Sequence, residues 1–394
     1  MSYTLIDYFP PTYQHSRTRF IDAIHTLQKQ GFHTQLWSHS LIDQPLPEAI
    51  GNAYEAYKND YQHAVQSLEN LTIDVAYVGP SQATHVLCIS SGTHGVEGFL
   101  GAALQHALLA KITHHLTSHP YVAFLLIHAV NPYGFHYLRR NNEQNIDVNR
   151  NCLFTSTHQG SHPHYSHLKP LLCPSIDQLS TYHFYRHAVG YLFRHGFTAM
   201  TQAVTQGQYL DPHALFFGGF TLSRSALIVK NNLLEWLQHA QKVIHLDIHS
   251  GFGKYTDYIL TSTADYPHEI LKQLAPFYAP QEIDNLRTHA KIYKIQGELL
   301  DLCTAVAEHA PHIHTYVPLL VECGTYHSIK ILQALRRENT LYHALPFDHP
   351  RAQKARQQLK ECFLPHASQW KKKTLHHLLE ITEQSLNALL RNFS

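Results

Sequence analysis

The chain has 394 residues, which is long for one domain but possible for a single α/β enzyme. Hydrophobic residues make up 44% of it, near the average of globular proteins, and the formal net charge is +1. So small a charge gives no electrostatic case for nucleic acid or an anionic membrane as a partner.

The order of apolar runs along the chain predicts an α/β fold. Residues 1–70 are expected to form a helical segment, with helices at about 16–30 and 50–68. After it, strands are predicted at six short runs rich in Val, Ile, Leu or Tyr: Leu71–Val78, His85–Ser90, Val122–Val130, Val243–His249, Tyr258–Thr261 and Tyr316–Glu322. Helices are predicted at 98–111, 176–195, 224–240, 327–341, 350–362 and 370–391. Alternating strands and helices favour one α/β sandwich.

We predict that residues 1–394 form a single domain without internal repeats. Its core spans about 71–345, and helices over 346–394 complete the C-terminal part. The last helix carries its leucines on one stripe, which predicts docking against the core. The stretch 131–175 is long, polar and rich in Asn, His and Pro. A loop of that length in a compact domain is often functional.

The N-terminus and the cysteines predict a cytoplasmic protein. Residues 1–10 lack a basic segment followed by an apolar one, so we expect no secretory signal. No apolar run approaches the roughly 20 residues that a membrane-spanning helix needs. The six cysteines are widely spaced and form no Cys-x-x-Cys motif, which favours reduced thiols.

Histidine is so abundant that spacing alone cannot identify a metal site. With 35 His and 15 Glu, about one His-x-x-Glu motif is expected by chance. Two are present, His94/Glu97 and His377/Glu380. The second lies within a predicted helix and has no matching third ligand, so we interpret it as part of a solvated helix face.

Two of the predicted strands end in residues that could hold a metal ion. His94 and Glu97 follow the strand His85–Ser90 in a turn whose glycines let the backbone bend sharply. His249 ends the strand Val243–His249. We expect the three side chains to meet, because ligands of open α/β sheets collect beyond the carboxyl ends of strands. Two His nitrogens and one carboxylate are the three protein ligands of a catalytic zinc site.

Further carboxylates lie where they could assist such a site. Asp247 shares a strand face with His249, since side chains two residues apart point the same way. It either orients a metal ligand or forms a turn at the strand end, and Asp147 is a similar candidate for orienting a ligand. Glu322 ends the apolar run Val317–Val321, where a carboxylate calls for a functional reason.

In order along the chain, these motifs resemble the signature of the zinc carboxypeptidase superfamily. The matching elements are His94-x-x-Glu97, Asn131-Pro132-Tyr133-Gly134, Arg140, Asp147-x-Asn149-Arg150-Asn151, His249 and Glu322. The same layout, in reduced form, occurs in succinylglutamate desuccinylases and aspartoacylases. The forms Gly92–Gly98, Gly207–Tyr209 and Phe217–Gly219 most resemble a bacterial subgroup of that superfamily. The resemblance covers roughly residues 71–330.

The resemblance implies a fold and a metal site. The expected fold is a mixed, eight-stranded central sheet between helices. One zinc ion per chain would be held by His94, Glu97 and His249, with Asp147 supporting His94.

The resemblance also implies catalytic and binding roles. Glu322 would be the general base, which takes a proton from water and later passes it to the leaving amine. Arg140 would polarise the scissile carbonyl and stabilise the oxyanion. Asn149 and Arg150 would hold a substrate carboxylate, which arginine can bind through two parallel hydrogen bonds. A substrate-site tyrosine is not identified by the sequence, which offers Tyr255, Tyr293, Tyr316 and Tyr326.

The implied function is a zinc-dependent hydrolase of the carboxypeptidase type, which cleaves an amide bond adjacent to a carboxylate. Its partner would be a small peptide or an N-acyl amino acid, and neither nucleic acid nor a membrane. An N-acyl amino acid deacylase is an alternative, since a deacylase differs mainly in having a closed pocket for a small acid. A non-catalytic zinc-binding relative is disfavoured, because the base, the arginine and the carboxylate-binding pair are all present.

Overall fold

The description of the fold rests on a computed structural model. It describes residues 4–44, 68–154, 158–161, 163, 165–262, 264, 266, 268–292 and 295–391, with only the backbone described at 197–205 and 289–292. The predicted helix at 50–68 therefore lies almost entirely outside the described residues.

A mixed β-sheet forms the centre of the described chain. Its seven strands are β1 (Thr34–Ser40), β2 (Thr72–Val78), β3 (His85–Ser91), β4 (Val122–His128), β5 (Lys242–Ser250), β6 (Tyr258–Thr261) and β7 (Thr315–Cys323). Their order across the sheet is β1-β2-β4-β3-β5-β7-β6. The central strands β4, β3, β5 and β7 are parallel, whereas β1, β2 and β6 pair antiparallel with their neighbours.

The described residues form fourteen α-helices. They are α1 (Tyr13–Lys29), α2 (Gly98–Leu109), α3 (Ile112–Ser118), α4 (Pro132–Tyr137), α5 (Val148–Asn151), α6 (Tyr165–Leu172), α7 (Thr181–Thr205), α8 (Arg224–Leu237), α9 (His268–Leu274), α10 (Pro280–Ile292), α11 (Leu299–Glu308), α12 (Ser328–Ala344), α13 (Pro350–Phe363) and α14 (Ser368–Leu390). A short 3-10 turn, Gly95–Glu97, links β3 to α2.

The predicted α/β class and the six predicted strands are confirmed. The expected count of eight strands is wrong for the described residues, which form seven. One of the seven, β1, lies in the N-terminal segment that was predicted to be wholly helical. It is an edge strand with half-exposed side chains, so it contains no apolar run to mark it. The stretch 131–175 is also more ordered than predicted, since it contains the short helices α4, α5 and α6.

Two helical layers cover the sheet. Helices α1, α2 and α14 pack together, and α2 and α14 contact β3 and β5. Helices α8 and α11 pack on each other and contact β2 and β7 respectively. The predicted docking of the last helix is confirmed, since Leu375, Leu378 and Leu386 are buried. Among the described helices, none is both long and apolar enough to span a membrane.

The parallel strands bring three chain segments to one edge of the sheet. β3, β5 and β7 end at Ser91, Ser250 and Cys323, and these three strands are direct neighbours. In the pairing of β5 with β7, His249 lies directly opposite Glu322. The register therefore places a predicted metal ligand beside the predicted base, although 73 positions separate them in sequence.

Candidate metal centre

The loop after β3 is shaped by close backbone contacts. Gly92 has a φ of +67°, a conformation that L side chains rarely adopt. A Cβ at Gly95 would lie 2.2 Å from the Cα of Gly134 in α4, so a side chain there would collide with backbone. The N–H of Gly95 donates to the Arg140 carbonyl at 3.1 Å, and Val96 N–H donates to the Arg139 carbonyl at 2.8 Å. These bonds fix the loop against the segment that carries Arg140.

His94, Glu97 and His249 come together as predicted, and we call them the metal cluster. The Nδ1 atoms of His94 and His249 are 3.1 Å apart. Glu97 Oε1 lies 3.0 Å from Nδ1 of His94, and Oε2 lies 3.3 Å from Nδ1 of His249. All three residues are buried, and they are the one group of potential ligands of this kind within the described chain.

The dimensions of the metal cluster suit zinc. Donor atoms ~2.0–2.1 Å from a zinc ion at tetrahedral angles lie about 3.3 Å from one another. The two Nδ1 atoms are 3.1 Å apart, and they lie 3.0 and 3.3 Å from Oε1 and Oε2 of Glu97 respectively, distances close to that value. Two imidazole nitrogens with one carboxylate also leave a fourth position for water or substrate.

A carboxylate holds the far nitrogen of each histidine. Asp147 Oδ1 is 3.1 Å from Nε2 of His94, and Asp247 Oδ2 is 2.6 Å from Nε2 of His249. Each carboxylate favours a proton on Nε2, which leaves the lone pair of Nδ1 directed into the metal cluster. The contact with His249 fits the first of the two roles predicted for Asp247, orienting a metal ligand.

The charges of the metal cluster favour a proton or a metal ion between its members. Burial alone would raise the pKa of Glu97, but His94 and His249 outweigh it and hold that pKa below its usual range. Burial would likewise lower the pKa of His249, but Asp247 and Glu97 raise it well above the usual range. Without metal, His249 is thus protonated, and metal binding must displace that proton.

Glu322 lies beside the metal cluster but is not part of it. Its Oε2 atom is buried and accepts no hydrogen bond from the described residues. Burial raises the pKa of Glu322 to about 7, and Glu97 adds to the increase while His249 and Arg140 oppose it. A buried carboxylate with a free oxygen and a pKa near neutrality suits proton transfer at neutral pH.

Arg140 connects the metal cluster to Asp147. Its Nε donates to Asp147 Oδ2 at 2.9 Å, while its Nη1 lies 3.5 Å from Glu97 Oε1. One oxygen of the Asp147 carboxylate therefore contacts the imidazole of His94, and the other accepts a hydrogen bond from Arg140. The motif that begins at Asn131 supports this arrangement, since Asn131 Nδ2 donates to the Arg140 carbonyl at 3.2 Å.

Asn149 and Arg150 follow Asp147 in α5, and both are buried. Asn149 Oδ1 accepts the N–H of Leu299 at 2.9 Å, which fixes the amide and leaves Nδ2 as its donor. Arg150 Nη1 donates to the Asn149 carbonyl at 2.8 Å. Its buried Nε atom has no hydrogen-bond partner among the described residues, so the guanidinium retains unused donor capacity.

Arg139, the neighbour of Arg140, and the second His-x-x-Glu motif both have structural roles. Arg139 is fully buried, donates from Nε to Glu338 Oε1 at 2.7 Å and lies over the ring of Tyr342, so it is not a surface residue. His377 and Glu380 form an exposed pair on α14 at 3.3 Å. The choice of His94/Glu97 over this second motif is therefore supported by burial.

Among the described residues, two of the tyrosine candidates lie in loops at the metal-bearing edge of the sheet. Tyr316 lies near the amino end of β7, at the opposite end of the strand from Glu322. Tyr293 lies outside the described residues. Tyr255 and Tyr326 lie in the loops after β5 and β7, with ring centroids 5.8 Å apart.

Several polar groups of the site were missed in the sequence. Ser250 N–H donates to Glu97 Oε2 at 2.8 Å and so fixes the carboxylate. Ser90 and Thr93 donate to Asp247 Oδ1 at 2.6 and 3.0 Å. The sequence places these residues near His94 and His249, which could have indicated that they belong to the site. Serine and threonine have so many roles in proteins that this proximity alone does not identify them.

The mixed sheet and the metal cluster define an α/β protein with three residues that could hold a metal ion. The chain belongs to the family described as "Protein of unknown function (DUF2817)", whose profile matches residues 48–377. A comparison with curated protein sequences finds no match.

Solved structures similar to this chain include carboxypeptidases. A metallo-carboxypeptidase from Pseudomonas aeruginosa in complex with (2-guanidinoethylmercapto)succinic acid is 11% identical, with 90% of this chain and 69% of that chain covered and a TM-score of 0.39. The carboxypeptidase A from Helicoverpa armigera is 11% identical, with 88% and 80% covered and a TM-score of 0.37.

A deacylating enzyme is also among the similar structures. A succinylglutamate desuccinylase from Silicibacter sp. is 14% identical, with 69% of this chain and 60% of that chain covered and a TM-score of 0.30. These neighbours belong to the enzyme classes that the sequence motifs resemble. Because the identities and TM-scores are low, none of them assigns an activity to this chain.

Proposed function

We propose that this protein is a zinc-dependent hydrolase of the carboxypeptidase type, which cleaves an amide bond adjacent to a carboxylate. The observation that carries the proposal is the register of β5 with β7, which sets Glu322 opposite His249. A carboxylate with one buried oxygen that accepts no hydrogen bond from the described residues, beside three buried candidate metal ligands, suits water activation better than structural metal binding. The proposal includes a cytoplasmic location and a small substrate rather than nucleic acid or a membrane.

Each residue near the metal cluster has a task in this proposal. Zinc would supply Lewis acidity and lower the pKa of bound water towards ~7. Glu322 takes a proton from the attacking water and returns it to the leaving amine. Arg140, held by Asp147, supplies positive charge to the developing oxyanion.

Asn149 and Arg150 are the proposed site for the substrate carboxylate. The free Nε atom of Arg150 is the main support, because a buried guanidinium donor without a partner is costly unless a ligand satisfies it. A carboxylate bound there would place the adjacent amide bond within the site. This explains why the scissile bond would lie next to a carboxylate.

An N-acyl amino acid deacylase is the second candidate, favoured by the enclosure of Arg150. A Cβ at Gly207 would lie 3.0 Å from Arg150 Cδ, so the loop at 207 passes directly over this side chain. The hydroxyl of Tyr209 donates to the Arg150 carbonyl at 2.7 Å and holds the same loop in place. An enclosed guanidinium suits a small acid better than a long chain.

Kinetics of Arg150 and Arg140 variants on a series of substrates test the proposal. Arg150→Lys is expected to raise KM by about 10- to 100-fold with little change in kcat, because lysine cannot form two parallel hydrogen bonds to a carboxylate. Arg140→Lys is expected to lower kcat by about 100-fold, since the oxyanion that Arg140 stabilises exists mainly in the transition state. Saturation curves on blocked dipeptides and acyl amino acids measure both effects.

Amidated and lengthened substrates complete that experiment. Substrates without a free carboxylate should react poorly with the wild type, and equal rates would refute the role of Arg150. Lengthening the amino side of the substrate should be tolerated by a carboxypeptidase and should abolish turnover by a deacylase. Absence of turnover on the whole series by zinc-loaded protein would favour the non-catalytic relative.

The pKa of Glu322 predicts how activity depends on pH. A general base acts when ionised, so kcat/KM should fall by about tenfold per pH unit on the acid side of the pKa of Glu322, which is about 7 without a metal ion. A bound cation stabilises the ionised carboxylate and moves this limb to lower pH. The control is zinc content at each pH, because protons compete with a metal ion for its ligands. A profile that stays flat while zinc is retained would exclude Glu322 as the base.

A further inference from the structure

A continuous line of hydrogen bonds leads from the metal cluster into the interior of the sheet. It begins with Asp247, which binds Nε2 of His249, and passes to Ser90 Oγ at 2.6 Å. Ser90 Oγ is 2.9 Å from Nε2 of His245. Nδ1 of His245 is 2.6 Å from the hydroxyl of Tyr316. The line joins β3, β5 and β7 across their shared faces.

The interior members of this line are shielded from solvent. Ser90, Asp247 and His245 are fully buried, and Tyr316 is partly buried. Burial lowers the pKa of His245 to about 4 although Asp247 opposes the change, so His245 is neutral at neutral pH. A neutral imidazole has one N–H donor and one acceptor nitrogen. The direction of each bond can therefore be assigned.

The bond directions follow from the strongest acceptor, the carboxylate of Asp247. A hydroxyl 2.6 Å from a carboxylate donates its proton there, so Ser90 donates to Asp247. The Ser90 oxygen then accepts from His245, which places the imidazole proton on Nε2. The remaining nitrogen, Nδ1, accepts the hydroxyl proton of Tyr316. Every donor along the line points towards Asp247.

We propose that His245 and Tyr316 are positioning residues for the metal ligand His249. Tyr316 fixes the tautomer of His245, His245 fixes the Ser90 hydroxyl, and Ser90 secures one oxygen of Asp247 so that the other meets His249. This inference rests on the proposed metal site and extends it by two residues that touch neither metal nor substrate. It also accounts for a histidine and a tyrosine inside an otherwise apolar part of the sheet.

The physical effect is on the freedom of the Asp247 carboxylate. Ser90 donates to Oδ1 at 2.6 Å, Oδ2 lies 2.6 Å from Nε2 of His249, and the Thr93 hydroxyl lies 3.0 Å from Oδ1 and 3.2 Å from Oδ2. If the Ser90 hydroxyl were free to turn, Oδ1 would lose its shorter bond and the carboxylate could rotate. His249 would then lose its fixed tautomer. Zinc would bind more weakly, because binding would first have to restore that tautomer.

Zinc affinity without substrate tests this proposal directly. His245→Leu removes the donor to Ser90 and is expected to raise the zinc Kd about tenfold, the lower end of effects known for groups beyond the ligands. His245→Gln keeps an N–H near the position of Nε2 and should stay within about twofold of wild type. Tyr316→Phe should raise the Kd about threefold by freeing the tautomer. Competition with a chelator measures each Kd.

The matched control is His128, another buried and uncharged histidine of the sheet. It ends β4, its Nδ1 binds Gln105, and burial lowers its pKa to about 4. No described hydrogen bond links it to Asp247, so His128→Leu should lose stability without changing zinc affinity. If His245→Leu fails to fold, Tyr316→Phe, which removes one oxygen, carries the test.

The possible outcomes separate this inference from the proposed function. Wild-type protein that binds no zinc would refute the proposed metal site. Wild-type protein that binds zinc, with unchanged Kd in both His245→Leu and Tyr316→Phe, would overturn the positioning role alone. Equal weakening by His245→Leu, His245→Gln and His128→Leu would show a general loss of stability and would also overturn it.

Discussion

Glu322→Gln is expected to leave zinc bound and to lower kcat by about 10³-fold, which corresponds to ~4 kcal/mol of barrier. The amide has nearly the shape of the carboxylate but cannot accept the proton of the attacking water. Because Glu322 lies outside the metal cluster, zinc content should remain at the wild-type level. Zinc analysis and steady-state kinetics on the same preparations measure both properties.

The matched control for this variant is Glu282→Gln. Glu282 is another buried glutamate, whose carboxylate accepts the hydroxyl of Tyr258. This substitution should leave kcat unchanged, which distinguishes loss of the base from loss of any buried charge. Near wild-type turnover by Glu322→Gln would refute its role as the base. Loss of zinc from that variant would show instead that Glu322 is a ligand.

The central strands could be predicted because they are buried on both faces. β2, β4 and the middle of β3 are continuous runs of buried residues, and such runs stand out in a sequence. The edge strand β1 reads Thr-Gln-Leu-Trp-Ser-His-Ser and is half-exposed along its length. Its pairing with β2 gives it strand structure, and that pairing depends on tertiary contacts that composition does not encode.

The meeting of the proposed metal ligands could be predicted because each lies at a strand end or in the loop that follows one. His94, Glu97 and His249 occupy positions where the topology alone brings strand ends together. The role of Asp147 could not be derived in this way. It lies 53 positions from His94, and their 3.1 Å contact depends on the path of α4 and α5. The sequence offered Asp147 only as one candidate for orienting a ligand, and the resemblance to a known superfamily paired it with His94.

The interior hydrogen-bond line could not be anticipated from sequence. His245 and Ser90 lie in apolar strands, and an isolated histidine in such a strand is most often a satisfied core residue. Their contact depends on the pairing of β3 with β5, where Ser90 lies opposite Asp247. Side chains brought together by register in this way have no sequence spacing of their own.

Loss of either histidine ligand is expected to abolish metal binding. Purified wild-type protein should contain about one zinc per chain, whereas His94→Ala and His249→Ala should contain none at low micromolar free zinc. Each variant leaves two ligands, too few for a tight site. Elemental analysis after dialysis against free zinc measures the content, and turnover should disappear with the metal.

The second His-x-x-Glu motif supplies the matched control. His377 has the same spacing to a glutamate but lies on the exposed face of α14, so His377→Ala should retain full zinc and full activity. Zinc should also stabilise the wild type and His377→Ala against heat, by about 2.7 kcal/mol at a free concentration of 100 Kd. His94→Ala should show no such gain. Equal zinc content in His94→Ala, His249→Ala and wild type would refute the proposed metal cluster, because the zinc would then be bound elsewhere in the chain.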